Sequence, residues 1–260
     1  MSDVLDMLFA TVAVVAAGGS IAAGQPLRIL WTLAAFALVA LLSGASQRKY
    51  RTLTITLIAF TGGIFLATLL VPAALRFAPG LARPDLINLL VEGAWAIVLA
   101  WALVPFGRLL RDMNYRVGNM TAGALIAGLT AAAVYALWYA YYYHGPSLPF
   151  RESFASLPAL VPAALIFALG GAFFEEVIFR GVMQKTLEEF TGRPTVAVLL
   201  QALLYALAFI SATAVPAGWP GVIANLLLAL ILGWTVLRTG GIALAMIVHF
   251  VVSLAVALIR

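Results

Sequence analysis

The sequence predicts an all-α protein, a polytopic transmembrane bundle of about eight or nine helices with a polar cavity inside the membrane. Hydrophobic residues make up 64% of the 260 residues and charged residues 10%, whereas soluble domains carry about 25% charged residues. The apolar residues also fall in runs of the length that crosses a bilayer, about 20 residues. A soluble core cannot bury this much apolar surface, so we expect a membrane protein.

Nine apolar segments are long enough to be predicted as helices. They are 4–23, 29–45, 53–75, 86–107, 118–140, 159–184, 194–213, 220–237 and 241–259. The first is the weakest, because Gly18 and Gly19 interrupt it. It is either a span, half of a helical hairpin or an interfacial segment.

The ends of these segments carry the expected residues. A proline costs little at the first turn of a helix, where its missing N–H has no partner. Prolines lie at or just before predicted starts at Pro26, Pro84, Pro146, Pro149, Pro194 and Pro220. The end of the fifth segment has the aromatic residues of a membrane interface, namely Trp138, Tyr139, Tyr141, Tyr142 and Tyr143.

The distribution of charge favours one orientation in the membrane. Nine Lys and Arg residues fall on one side of the predicted bundle and five on the other, which places the N-terminus in the cytoplasm and the C-terminus outside. Asp3 and Asp6 precede the first apolar run, where a signal peptide has a positive start, so we expect this run to be retained. The net charge of +5 is scattered in short clusters, which argues against nucleic acid as a partner.

Ionisable residues interrupt the sixth segment, which reads GGAFFEEVIFRGVM from Gly170 to Met183. Charged side chains inside a membrane usually face the protein interior and pair with one another. Glu176 and Arg180 are at i and i+4, the spacing of a favourable pair, whereas Glu175 lies about 100° round the helix. Glu175 is therefore left without a local counter-ion, as in a general base or a proton carrier. The alternative is a structural cluster that joins helices.

The segment FFEEVIFRG resembles the first motif of the CAAX-protease and bacteriocin-processing family of intramembrane endopeptidases. In that family a Phe-x-x-x-His motif and a His-x-x-x-Asn (or Asp) motif follow on later helices, and His249 to Ser253 approximates the latter. The resemblance covers roughly residues 115–259. We therefore divide the chain into N-terminal helices without a recognised motif, 1–114, and a peptidase-like core, 115–260. The family also implies a prokaryotic plasma membrane.

The resemblance assigns roles to individual residues. It implies Glu175 as the base that activates water, Glu176 and Arg180 as its support, and His249 with Ser253 as a partial oxyanion site. Three positions depart from the family pattern. Tyr205 and Phe209 occupy the Phe and His positions of the second motif, where they would line the substrate cavity, and Ser253 replaces Asn or Asp. Phe209 can neither accept a proton nor hydrogen-bond to water.

Few other residues are candidates for a metal ligand or a catalytic group. His144, the other histidine, lies at a helix end beside the aromatic residues and is interpreted as an interfacial residue. There is no cysteine, and zinc commonly takes three or four ligands, so we predict neither a metal nor a cofactor. Four polar residues of the later helices are expected to hydrogen-bond between helices: Gln201, Ser211, Thr213 and Asn225.

Three functions remain open. The favoured one is a peptidase-fold protein that is impaired in turnover or lacks it, and binds a membrane or lipidated protein as a partner, assembly or immunity factor. The second is an active glutamate-type endopeptidase that cleaves such a protein, with Glu175 as its base. The third is a proton-coupled transporter, which should show inverted repeats. In all three cases the protein lies in the lipid bilayer and is suited to a membrane complex.

Overall fold

The computed structural model describes residues 2–23, 25–42, 48–75, 90–97, 99, 115–144, 170–209 and 219–259. Every regular element in these ranges is helical. The first five helices are α1 (Ser2–Ala22), α2 (Pro26–Leu42), α3 (Arg48–Leu75), α4 (90–97) and α5 (Ala122–His144). A continuous segment, α6, joins Gly170–Glu175, Val177–Gln184 and Lys185–Thr191. The last three are α7 (Pro194–Ala208), α8 (Trp219–Thr239) and α9 (Ala243–Ile259).

These helices confirm the predicted membrane bundle. Each of the nine predicted segments contains a helix. Within the described residues, four stretches are long and apolar enough to cross a membrane: Asp3–Ala22, Arg48–Val71, Ala122–Tyr139 and Pro220–Thr239. Three shorter helices are also apolar: Pro26–Leu42, Pro194–Ala208 and Ala243–Ala255. The chain is an integral membrane protein, and the division at residue 114 stays a prediction.

Contrary to what the sequence indicated, Gly18 and Gly19 do not interrupt α1. A Cβ atom on Gly18 would lie 2.7 Å from Cβ of Leu207, whereas one on Gly19 would meet nothing within 4 Å. Gly18 is therefore required by the close approach of α1 to α7. The first segment is a continuous helix of the bundle.

An aromatic cluster anchors the short helix α4 between α3 and α6. Trp95 is 1% exposed, and its indole Nε1 donates a hydrogen bond of 2.8 Å to the carbonyl oxygen of Phe60. The ring of Trp95 lies 4.8 Å from that of Phe60 and 5.7 Å from that of Phe179 on α6. These contacts belong to the larger of two apolar cores; the smaller one joins α5, α8 and α9.

A tight turn connects α6 to α7. Gly192 has φ 64°, which a side chain disfavours, and its N–H donates to the carbonyl oxygen of Glu188 at 2.8 Å. Pro194 then begins α7 in the first helical turn. The predicted start of this helix is confirmed, and the turn places α6 and α7 side by side.

The segment before α5, residues 115–121, forms a backbone clasp on the turn between α8 and α9. Asn119 N–H donates to the carbonyl oxygen of Thr239 at 2.7 Å, and Ile242 N–H donates to that of Arg116 at 3.0 Å. Gly118, with φ 74°, lies between these bonds, and a Cβ there would come 2.7 Å from the Thr239 oxygen. The clasp fixes the start of α9.

Candidate active site

The buried charges lie on α6, in a part of the helix that departs from α-helical geometry. The stretches Gly170–Glu175 and Val177–Gln184 are π-helical. Such turns are rare in proteins, and those that are found often lie at functional sites. Glu175 is 6% exposed, and Glu176 and Arg180 are fully buried. The polar face of α6 is thus inside the protein, as the sequence predicted.

Glu176 and Arg180 form the ion pair that their spacing predicts. Nη1 of Arg180 donates to Oε1 of Glu176 at 2.8 Å, a charge-assisted hydrogen bond. Nη2 donates to the carbonyl oxygen of Ala229 on α8 at 3.4 Å, and the guanidinium lies over the ring of Tyr205 at 5.0 Å. The pair therefore also joins α6 to α7 and α8.

His249 brings α9 to the two glutamates. Its Nδ1 lies 2.8 Å from Oε1 of Glu176, and its Nε2 lies 3.8 Å from Oε2 of Glu175. Because Glu176 is paired with Arg180 as a carboxylate, it can only accept, and we assign the proton to Nδ1 on that basis. The second ring nitrogen then faces Glu175.

Glu175 has more partners than the sequence indicated. The hydroxyl of Tyr205 on α7 donates to Oε2 at 2.6 Å. The carboxyl group of Glu92 on α4 lies close enough to the same carboxyl group to form a side-chain hydrogen bond with it when one of the two is protonated. Three helices therefore contact Glu175, which lacks a counter-ion within its own helix but not hydrogen-bond partners.

The remaining predicted site residues lie close by without contacting the glutamates. Phe209 directly follows the last residue of α7, and its ring lies 4.7 Å from that of Tyr205 and 5.9 Å from that of Phe179. Ser253 lies one turn after His249 on α9 and is buried. In the described part of the chain, the hydrogen bonds to the glutamates come from other side chains, and Ser253 contributes none.

Sequence reasoning missed Glu92 and the hydroxyl of Tyr205. An ionisable residue within a predicted membrane span was the signal that identified Glu175. Glu92 carries the same signal, because it lies within the predicted span 86–107. Tyr205 was interpreted as a cavity-lining replacement for phenylalanine, although its extra atom is a hydrogen-bond donor.

Buried side-chain amides from α6, α7 and α8 form a separate polar group in the bundle. Nε2 of Gln184 donates to the carbonyl oxygen of Gly233 on α8 at 3.2 Å. Both amide atoms of Gln201 and Nδ2 of Asn225 are buried without a hydrogen-bond partner. The interhelical hydrogen bonds predicted for Gln201 and Asn225 are thus not formed by these atoms.

Several predictions fall outside what the structure describes. Ser211 and Thr213 lie outside the described residues, and His144 is described by its backbone alone. Within the described residues, no group of three or more His, Asp or Glu side chains is arranged to hold a metal ion. An apolar groove lies apart from the glutamates, between α5, α7 and α8, and its lining includes Ala127, Val198, Leu230 and Trp234.

Comparison with protein families gives a match over the second half of the chain. Residues 157–255 match the model described as type II CAAX prenyl endopeptidase, Rce1-like. This range includes Glu175, Glu176, Tyr205, His249 and Ser253, but not Glu92. Comparison with curated proteins and with solved structures gave no match.

Proposed function

We propose that this integral membrane protein, whose residues 157–255 belong to the Rce1-like family of type II CAAX prenyl endopeptidases, is an intramembrane peptidase with Glu175 as its base. The observation that carries the proposal is the set of groups around this carboxyl. Glu175 is 6% exposed, accepts from Tyr205 at 2.6 Å and lies 3.8 Å from Nε2 of His249. A buried carboxyl surrounded by groups that hold or move protons suits general acid–base chemistry.

The reaction is hydrolysis of a peptide bond. Glu175 takes a proton from water, and the resulting hydroxide adds to the carbonyl carbon. The C–N bond then breaks as the leaving nitrogen receives a proton from the carboxylic acid formed in the first step. The products are a carboxylic acid and an amine, and Glu175 returns to its initial state.

Donors near Glu175 would stabilise the charge that develops on the carbonyl oxygen. The Tyr205 hydroxyl, which donates to Oε2 of Glu175 at 2.6 Å, is such a donor, whereas Nε2 of His249, at 3.8 Å, donates only when the imidazole carries a proton on both nitrogens. Donors held in place before the reaction stabilise an oxyanion most, because they need no reorganisation. Glu176 holds the imidazole through Nδ1 at 2.8 Å, and we therefore regard it as a positioning residue.

The substrate class follows from the location of the site. A carboxyl buried in a membrane bundle is suited to a peptide that reaches it from the bilayer. We propose the C-terminal or helix-adjacent peptide of a membrane or lipidated protein, including a prenylated one as the description of the matched family suggests. A plasma membrane of prokaryotic origin stays a prediction.

A second function is favoured by Phe209. Phe209 directly follows α7, and its ring lies next to that of Tyr205. The family that the sequence resembles has histidine at this position. Without that imidazole, turnover would be slow or absent, and the protein would bind the same peptide as a partner, assembly or immunity factor.

The test is cleavage of membrane-anchored and prenylated peptides by purified protein in liposomes. The variant is Glu175→Gln, and the matched control is Glu188→Gln, later on α6, whose partly exposed carboxylate pairs with Lys185 at 3.5 Å. We expect Glu175→Gln to lower the cleavage rate by about 10²–10⁴-fold and the control to leave it unchanged. Equal cleavage by both variants would refute the assignment of Glu175. Retention of peptides without cleavage by any of the proteins would favour the second function.

A further inference from the structure

Glu92 is a carboxyl group at the site that lies outside the family match. Its helix, α4, runs beside α6. A Cβ on Gly93 would lie 3.3 Å from the ring of Phe174, and the rings of Trp95 and Phe179 are 5.7 Å apart. The face of α4 that carries Gly93 and Trp95 thus packs against the face of α6 that carries Phe174 and Phe179. This placement is independent of the hydrogen bond between the carboxyl groups of Glu92 and Glu175.

The hydrogen bond limits the charge of the pair. A carboxylate has no proton to donate, so two ionised carboxylates cannot hydrogen-bond directly. One of the two must carry a proton, and like charges this close disfavour ionisation of both groups. Arg180 also acts electrostatically on Glu175, but its Nη1 is bonded to Glu176 at 2.8 Å, so this single cation already neutralises one carboxylate. The imidazole of His249 also faces Glu175, with Nε2 at 3.8 Å from Oε2.

We infer that Glu92 and Glu175 share one proton and act together in the reaction, with Glu92 as the second proton-transfer group in place of the histidine absent at Phe209. This inference rests on the proposed function. It makes α4, which lies outside residues 157–255, a part of the active site.

The proton balance of hydrolysis closes with such a pair. The ionised carboxylate takes one proton from water, so both groups are protonated when hydroxide adds to the carbonyl carbon. One of the two acids then gives its proton to the leaving nitrogen as the C–N bond breaks. The pair ends as it began, with one proton between two carboxyl groups. Pairs of carboxyl groups that share a proton perform this chemistry in aspartic proteases.

The alternative is that Glu92 only joins α4 to α6. Glu92→Gln distinguishes the two roles, because the amide keeps the size of the side chain and can donate a hydrogen bond but cannot transfer a proton. We expect Glu92→Gln to lower kcat by about 10²–10⁴-fold, with KM and the melting temperature nearly unchanged, and Glu92→Asp to retain part of the rate. If wild-type protein cleaves, Glu175→Gln abolishes cleavage and Glu92→Gln does not lower kcat, the inference is wrong and the proposed function stands.

A second measurement tests the shared proton without cleavage. Infrared spectroscopy of purified protein records the C=O stretching band of protonated carboxylic acids. We expect such a band in the wild-type protein, and we expect it to shift or disappear in Glu92→Gln and in Glu175→Gln but not in Glu188→Gln. A band that is unchanged in Glu92→Gln, or absent from the wild-type protein, would overturn the inference whether or not the protein cleaves peptides.

Discussion

The hydroxyl of Tyr205 donates a 2.6 Å hydrogen bond to Oε2 of Glu175, and the ring of the same tyrosine lies 5.0 Å beneath the guanidinium of Arg180. One side chain of α7 therefore contacts both the carboxyl group proposed as the base and the cation that neutralises its neighbour. The hydroxyl and the ring can be tested separately, because phenylalanine keeps the ring.

Tyr205→Phe should slow cleavage while leaving the protein folded. A hydrogen bond to a charged group contributes about 1.5–3 kcal/mol, so we expect kcat to fall about tenfold to a hundredfold. The rate in liposomes measures this. Tyr50→Phe is the matched control, because it removes a hydroxyl that donates to Asp6 on α1, away from the glutamates. Equal rates for the two variants would contradict a role for the Tyr205 hydroxyl.

Phe209→His should increase cleavage. The ring of Phe209 lies 4.7 Å from that of Tyr205, so an imidazole there would stand beside the hydroxyl that contacts Glu175. We expect a gain of about tenfold or more, within the range of a single proton-transfer group, and partial rescue of Glu92→Gln. Phe209→Leu controls for the loss of the aromatic ring. If a folded Phe209→His protein gained nothing, residue 209 would not be what limits the rate.

Arg180→Met should destabilise the protein strongly. Arg180 and Glu176 are both fully buried, and removal of one partner of a buried pair typically costs about 3–5 kcal/mol, because the other charge is left uncompensated. Thermal unfolding in detergent measures the effect. Lys185→Met, which breaks a partly exposed pair of 3.5 Å, should cost at most about 1 kcal/mol. Similar melting temperatures for the two variants would show that Glu176 is not charged in the native protein.

Gly18→Ala and Gly19→Ala should have opposite effects on stability. A Cβ on Gly18 would lie 2.7 Å from Leu207, so we expect a cost of about 1–3 kcal/mol from overpacking. A Cβ on Gly19 would meet nothing within 4 Å, and alanine in a helix is favoured over glycine by about 0.5–1 kcal/mol. Melting temperatures that fall equally in both variants would contradict the close packing of α1 against α7.

The helices were predictable from the sequence because the bilayer imposes one length and one composition on them. The starts of α7 and α8 were found within one residue, since Pro194 and Pro220 mark them. The π-helical turns of α6 were not predicted, because hydropathy carries no information on backbone hydrogen-bond spacing. Local spacing gave the pairing of Glu176 with Arg180, since these residues are one turn apart.

Contacts between distant segments were harder to predict. Glu92 and Glu175 lie on different helices of the chain, and no local pattern relates two such carboxyl groups. The family pattern shows that Phe209 replaces a histidine, but it does not show that the Tyr205 hydroxyl can donate a hydrogen bond to Glu175. A survey of every ionisable residue within the predicted spans would have included Glu92.

The backbone clasp between residues 116–119 and the turn before α9 determines how deep the imidazole of His249 lies. Ile242 N–H is bonded to the carbonyl oxygen of Arg116, and α9 begins at Ala243. At 1.5 Å per residue, His249 lies about 9 Å along the axis from that start. Because the clasp opposes sliding of α9, the ring nitrogen that faces Glu175 is held at a fixed level along the bundle, and in the proposed hydrolysis a peptide bond would have to reach that level to meet both groups.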